Sequence, residues 1–514
     1  MFSIQTAEQA IGLIKDGDTI AINSFLSLNN PEALHSALAE NFERTGHPNN
    51  LELFCASGFG GWDEHLYADR YIKAGAVRCI IAGHFKSMPA AMELAKKEKI
   101  EAYNLPLGVL SHTLPAAASG KDGYLCEVGL GLFVDPRLEG PGLNSISKRV
   151  LLKVVELEGK EYLYYKTPKI DIAFLKGTTV DPNGNITFEK ECLTVDALAM
   201  AQATKANGGK VIVQVERVSH LFERPRNVII PGILVDVVVV CADQKQVLNT
   251  AYNPTLSGDI HVPSSQMNYW MSQLSLSGKR AARERDISHE IIGERAAKEL
   301  KKGDIVNIGI GIPENVGRAA AQMDILNDIT LTVESGGIGG LPAPGVAFGA
   351  TIGADAITDM SQQFDFYDGG GLDICFMGAV EADSRGNVNA HKIGHNFVGI
   401  GGFANITYAT KTVVFCLNFT TRGLHVEREA DGTVVIEKEG ATPKFRKAVQ
   451  SISFNGERAL KKGQRVLYVT ERCVFSLSES GLMLEEVYKG IDIRTQILDL
   501  IDFEIEINPR LKKL

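Results

Sequence analysis

Apolar runs rich in β-branched residues recur along this chain and alternate with segments whose apolar positions return every three or four residues. VIIPGILVDVVVVC (228–241) and DITLTV (328–333) read as buried strands, whereas EQAIGLIK and SHEIIGERAAKELKK read as amphipathic helices. The alternation predicts an α/β fold on mainly parallel sheets covered by helices. Further on, RVLYVTERCVFSLSESGLMLEEV (465–487) alternates and turns, which predicts antiparallel hairpins ahead of the polar tail NPRLKKL.

The pattern repeats. Residues 171–186, DIAFLKGTTVDPNGNI, match 373–388, DICFMGAVEADSRGNV, at one offset of 202 residues. That offset pairs Asp171 with Asp373, Phe174 with Phe376, Asp181 with Asp383, Gly184 with Gly386 and Asn185 with Asn387. Each copy is an apolar strand followed by an Asp-x-x-Gly-Asn turn, and GGKVIVQV (208–215) and TKTVVFCL (410–417) add a second strand pair. A further echo joins LIKDGDTIAIN (13–23) to ELKKGDIVNIG (299–309) at an offset of 286, so the first half holds extra length, much of it in 120–165. Two similar, open, mainly parallel α/β domains are therefore expected, 1–256 and 286–514, joined by a polar linker at 257–285 that has neither period.

Composition then excludes several classes. The 514 residues, 45% hydrophobic and 22% charged, match ordinary globular proteins and not disordered, collagenous or disulfide-stapled ones. The 53 Lys+Arg against 62 Asp+Glu leave a charge of -9, with no basic stripe interleaved with aromatics, so nucleic acid and membrane are not expected partners. No signal-like N-terminus and no apolar run of about 18 residues occur, which predicts a cytoplasmic protein. The 8 cysteines form no CxxC and are expected to be free and reduced. His391 and His395 lie in a glycine-rich, loop-like context, so no metal site is expected.

The most informative chemistry lies in DITLTVESGGIGGLPAPG (328–345), where a predicted strand ends at Glu334 and runs into Ser335, Gly336, Gly337, Gly339 and Gly340. Ligands of open α/β sheets bind beyond the carboxyl ends of strands, and small residues let a ligand or backbone come close. NIGIGIPENVG (307–317), DGGGLDI (368–374) and VGIGGF (398–403) offer further amide N–H groups suited to phosphate or an oxyanion. Gly309-x-Gly311 imitates a dinucleotide fingerprint, but Glu314 stands where its third glycine belongs. These residues alone support either covalent carboxylate catalysis or the binding of an anionic ligand.

The segments DGDTIAINSFLSLNNP (16–31), AYNLPLGVLSHTL (102–114), VNIGIGIP (306–313), TVESGGIGG (332–340), SQQFDFYDGGGLDICF (361–376), KIGHNFVGIGGFANIT (392–407) and YVTERCVF (468–475) add a resemblance. Together the chain resembles family I CoA-transferases of the fused type, in particular those that move CoA between short-chain carboxylates. The resemblance implies that Glu334 is the nucleophile of a ping-pong cycle through a glutamyl-CoA thioester, and that Gly402 supplies a backbone oxyanion donor. It also implies that Gly309, Ile310, Gly311, Gly399, Gly401 and Gly402 line the CoA, with CoA a substrate and no tightly bound cofactor. A homo-oligomer is implied, with a tetramer favoured. Where relatives often carry Gln between Pro and Gly, this chain has Leu107 before Gly108, and where paired glycines are usual it has Asn23 and Ser24. Leu107 and Gly108 are thus expected at an acyl pocket that is more apolar or differently shaped, with Asn23 or Ser24 as a substitute donor. The rival readings are an acyl-CoA hydrolase using the same Glu and a noncatalytic sensor of CoA esters or sugar phosphates.

Overall fold

The computed structural model describes residues 2–248, 250–263, 266, 269 and 286–514. The first half is built on eight parallel-paired strands: β1 (Ser3–Gln5), β2 (Thr19–Ile22), β3 (Leu51–Cys55), β4 (Val77–Ala82), β5 (Glu101–Asn104), β6 (Ile172–Lys176), β7 (Lys210–Val215) and β8 (Val237–Val240). Their spatial order is β1-β8-β7-β6-β2-β3-β4-β5. The second half holds β9 (Ile305–Ile308), β10 (Thr330–Thr332), β11 (Gly337–Ile338), β12 (Ala356–Ile357), β13 (Ile374–Gly378), β14 (Thr412–Cys416), β15 (Arg465–Val469), β16 (Cys473–Ser478), β17 (Gly481–Val487) and β18 (Glu506–Lys513). They run β12-β11-β10-β9-β13-β14-β15-β16-β17-β18. The antiparallel hairpins expected over 465–487 are β15, β16 and β17.

The predicted architecture therefore holds, and its cause is legible strand by strand. β2, β3 and β6 are buried along their whole length, which suits continuous apolar runs sandwiched between helices. One apolar cluster runs through both halves, from Phe25 and Leu107 to Phe364 and Phe415, so the halves share a core. Among the described residues no helix is long and apolar enough to cross a membrane.

The repeat is conserved down to hydrogen bonds. Asp181 Oδ1 accepts from the N–H of Asn183 and Asn185 at 2.8 and 2.9 Å, and its Oδ2 accepts from Asn185 Nδ2 at 3.0 Å. Asp383 does the same with Arg385, Asn387 and Asn387 Nδ2 at 2.9, 2.9 and 3.0 Å. β2 and β7 flank β6 as β9 and β14 flank β13. Much of the extra length in the first half forms an antiparallel sheet of Gly123–Cys126, Leu152–Leu157 and Lys160–Lys166. Its Glu158-Gly159 turn has positive φ at both positions, as a two-residue hairpin of this hand needs.

The end of the first expected domain and the start of the linker are docked onto the second half. Leu256 and Val262 are buried, and Gly353 N–H donates to Thr255 O at 3.0 Å. The remainder of that linker, apart from residues 266 and 269, lies outside the described residues until Asp286.

Candidate active site

Glu334 stands just past the carboxyl end of β10, in the turn that reverses the chain into β11. Val333 N–H donates to Gly337 O at 2.8 Å and Gly336 N–H to Val333 O at 3.0 Å. Gly336 has φ +123° and lies against Thr358 O with no room for a side chain, so only glycine serves there. Ser335 is buried, with its hydroxyl on Gly349 O. Val333, Ser335, Gly336 and Gly337 are all buried while Glu334 keeps partial access to solvent. Desolvation by the surrounding protein raises the Glu334 carboxyl above the ordinary range, and its own backbone N–H and the Asn307 side-chain amide pull it partly back.

Gly402 faces this carboxylate. A Cβ at 402 would stand 3.2 Å from Glu334 Cγ and 3.4 Å from Phe364 Cζ. The Gly402 N–H has no hydrogen-bond partner among the described residues. Here α1 denotes Leu107–Ala118, α2 Met360–Asp368 and α3 Phe403–Ala409, which Gly402 precedes.

The first half fixes the loop that carries Gly402. Gly401 N–H donates to Gly83 O at 2.8 Å, Phe85 N–H to Val398 O at 2.9 Å, and Leu107 N–H to Gly401 O at 2.9 Å. Ile400 N–H adds a bond to Asn104 Oδ1 at 2.9 Å. Gly399 has φ +88°, and a Cβ on it would sit 2.6 Å from Gly83 O. On the other side of the Glu334 turn, Gly349 packs on Phe25 and Leu28, and the Phe25 and Phe348 rings lie 6.4 Å apart. The two segments that flank Glu334, the Gly402 loop and residues 348–349, are thus both packed on the first half.

The other residues singled out in the sequence divide. Leu107 is buried at the start of α1, bonded to the residue before Gly402. Gly108 is a packing joint: its N–H meets Asn405 Oδ1 at 3.1 Å, and a Cβ would fall 2.6 Å from both Asn405 Cγ and Phe364 Cδ1. Gly309 N–H is held by Phe376 O at 2.8 Å, Ile310 is 42% exposed, and Gly311 has φ +91° with open space around it. Asn23 and Ser24 are both buried and hold hydrogen bonds of the fold itself. Asn23 Nδ2 donates to Thr194 O and its Oδ1 accepts from Asp196 N–H, while the Ser24 hydroxyl donates to Gly58 O at 2.9 Å. The turn that follows β2 points these groups inward, and the Ser24 hydroxyl proton is already engaged by Gly58 O.

The coenzyme A transferase family model matches residues 4–241 and 289–492. The chain belongs to that family. As a CoA-transferase it is 40% identical to acetate CoA-transferase YdiF of Escherichia coli (strain K12), over 99% of this chain and 93% of that one. It is also 40% identical to caffeate CoA-transferase of Acetobacterium woodii, over 99% and 96% respectively. Among solved structures it is similar to the acyl-CoA transferase YdiF of E. coli O157:H7 in its thioester complex with CoA, with TM-score 0.90, 37% identity and coverage of 100% of this chain and 95% of that one.

Sequence reasoning missed three polar side chains that lie behind Glu334 in this CoA-transferase. Asn307 lies within a segment read only for its glycines, Thr332 within a strand read only for its apolar residues, and Tyr367 on α2. The signal that finds the first two is a comparison of the halves. The 286-residue echo sets Ala21 against Asn307, and strand register then sets Phe54 against Thr332, since Ala21 pairs with Phe54 as Asn307 pairs with Thr332. Counting onward, Ala56-Ser57-Gly58 takes the place of Glu334-Ser335-Gly336.

Proposed function

We propose that this CoA-transferase exchanges CoA between short-chain carboxylates through a covalent intermediate on Glu334. The observation that carries the reading is a partly desolvated carboxylate at a strand end, packed against Gly402 with its unpartnered N–H. The Glu334 carboxylate attacks the thioester carbonyl carbon of the donor, CoA thiolate leaves, and an acyl-glutamyl anhydride forms. The thiolate then attacks the Glu334 carbonyl carbon, expelling the first carboxylate and leaving glutamyl-CoA. An acceptor carboxylate reverses both steps and restores Glu334. Positioning makes the weak nucleophile competent, and in this reading the Gly402 N–H donates to the oxyanion that develops. The thioester complex of the YdiF relative supports this route.

Intact-protein mass after mixing with acetyl-CoA or propionyl-CoA tests it. A CoA-sized adduct discharged by acetate is expected; free acid accumulating without acceptor and without adduct would assign hydrolysis instead. Because only ionised Glu334 attacks, and burial raises its pKa, kcat/KM for acyl-CoA should rise with pH through one ionisation above the ordinary glutamate range. A flat profile down to the pKa of a free glutamate would contradict the desolvated nucleophile.

The acyl group meets hydrocarbon in this reading. Leu107 lies beside the Gly401–Gly402 strip, and Phe25 and Phe348 bound the other side. Leu107→Gln should shift the kcat/KM ratio of acetyl-CoA over longer apolar acyl-CoAs by about tenfold in favour of acetyl-CoA, the scale of one or two methylene contacts. An unchanged acyl-chain profile would remove Leu107 from the pocket.

A further inference from the structure

Behind Glu334 lies a closed set of polar groups that the transfer chemistry described above does not use. Asn307 and Thr332 face each other across β9 and β10, two positions ahead of Glu334 on the latter. Asn307 Nδ2 is 3.2 Å from Thr332 O and 3.4 Å from Tyr367 Oη. Tyr367 Oη donates to Thr332 Oγ1 at 2.8 Å, and Thr332 Oγ1 donates to Val306 O at 3.1 Å. All three side chains are buried, and the Tyr367 ring is wedged edge-on to Phe364, the residue that touches Gly402.

The duplication provides an internal control on what this set is for. At the same register positions the first half carries Ala21, Phe54 and Ala56 in place of Asn307, Thr332 and Glu334. The strands pair equally well there with hydrocarbon, so the fold does not require polar atoms at these places. Buried polar groups cost stability unless each is satisfied, and at these register positions they occur only in the half that carries the carboxylate.

We propose that Tyr367 is a positioning residue for the nucleophile: its hydroxyl locks the Asn307 amide so that one N–H is engaged by Thr332 O and Tyr367 Oη and the other is presented to Glu334. This inference rests on Glu334 being the nucleophile. A flipped amide would set Asn307 Oδ1 against Thr332 O and against the carboxylate, two oxygen–oxygen contacts that the Tyr367–Thr332 hydrogen bond makes harder to relieve. The N–H held toward Glu334 orients the carboxylate for attack. When CoA thiolate later adds to the Glu334 carbonyl carbon, the same N–H meets the oxygen that takes up negative charge. Glu334 is the charged group that acts on the Tyr367 hydroxyl, whose remaining neighbours are the neutral side chains of Thr332, Asn307 and Gln363.

Tyr367→Phe keeps the ring and removes the hydroxyl, and Thr332→Val removes its acceptor at constant shape. Both should slow single-turnover formation of the CoA adduct about tenfold, as a small misplacement of reacting groups does. KM for acyl-CoA should stay within about twofold, because no contact to CoA is lost. The acid limb of kcat/KM should move to higher pH in both variants, since the amide then favours ionised Glu334 less. In an Asn307→Ala background, Tyr367→Phe should add nothing, as expected of groups that act through one another. Wild-type rates in both variants, losses that multiply in the double variant, or slower turnover with lowered melting temperature and an unmoved acid limb would each overturn the proposal. If Glu334→Ala still formed the adduct, the nucleophile assignment itself would fail, a result separate from all of these.

Discussion

Glu334→Ala is expected to lower CoA transfer by about 10⁴-fold or more, the scale seen when a covalent nucleophile is deleted, and to abolish the CoA adduct. Glu334→Gln should behave alike, because the amide fills the same space but cannot form the anhydride. Neither change should unfold the chain. The carboxyl is partly desolvated and its own backbone and Asn307 are the groups that favour its charge, so its removal relieves a burial cost. Thermal melting at or slightly above the wild-type midpoint, together with lost activity, would separate a chemical role from a structural one. An adduct that survives in Glu334→Ala would place the nucleophile elsewhere.

Gly399→Ala is expected to be the most damaging single methyl in the junction. The position has φ +88°, which an L side chain adopts at a cost, and the new Cβ would fall 2.6 Å from Gly83 O and 2.8 Å from His84 Cα. Neither contact is the end of a flexible side chain, and Gly401 and Phe85 hydrogen bonds pin both backbones in place. The left-handed conformation and the overlap together give a destabilisation of roughly 2–4 kcal/mol, read as a lower urea midpoint. Gly402 must move with the loop, so adduct formation should fall in the folded fraction as well. Gly311→Ala is the control, since φ is +91° there but nothing lies within 4 Å of the added methyl; it should cost only the backbone term, about 1 kcal/mol. Equal effects at the two glycines would mean that the close approach to Gly83 carries no weight.

Much of this was open to reading in the residues themselves. A strand running into Glu-Ser-Gly-Gly put the carboxylate where α/β sheets bind ligands, and the 202-residue repeat gave the duplicated sheet topology. Periodicity serves such features because they are local. Asn307, Thr332 and Tyr367 were not legible in this way, since their meaning comes from packing between β9, β10 and a helix 35 residues beyond Thr332. Asn23 and Ser24 show the converse. Their identities suggest donors, but the direction of a loop after a strand decides what a side chain meets, and the bonds these two make lie within the first half.

Ala56 gives the duplication a stoichiometric meaning. The chain carries the strand-end Ser-Gly shelf twice, at 56–58 and 334–336, but a carboxylate on only one copy. A methyl can neither attack a thioester nor hold CoA, so with Glu334 as the proposed nucleophile each polypeptide would store one CoA equivalent at most, and an assembly of n chains would store n. The silent copy is thereby released from reactivity and left to serve as wall, which is how one half of a doubled gene could specialise in shape while the other kept the chemistry.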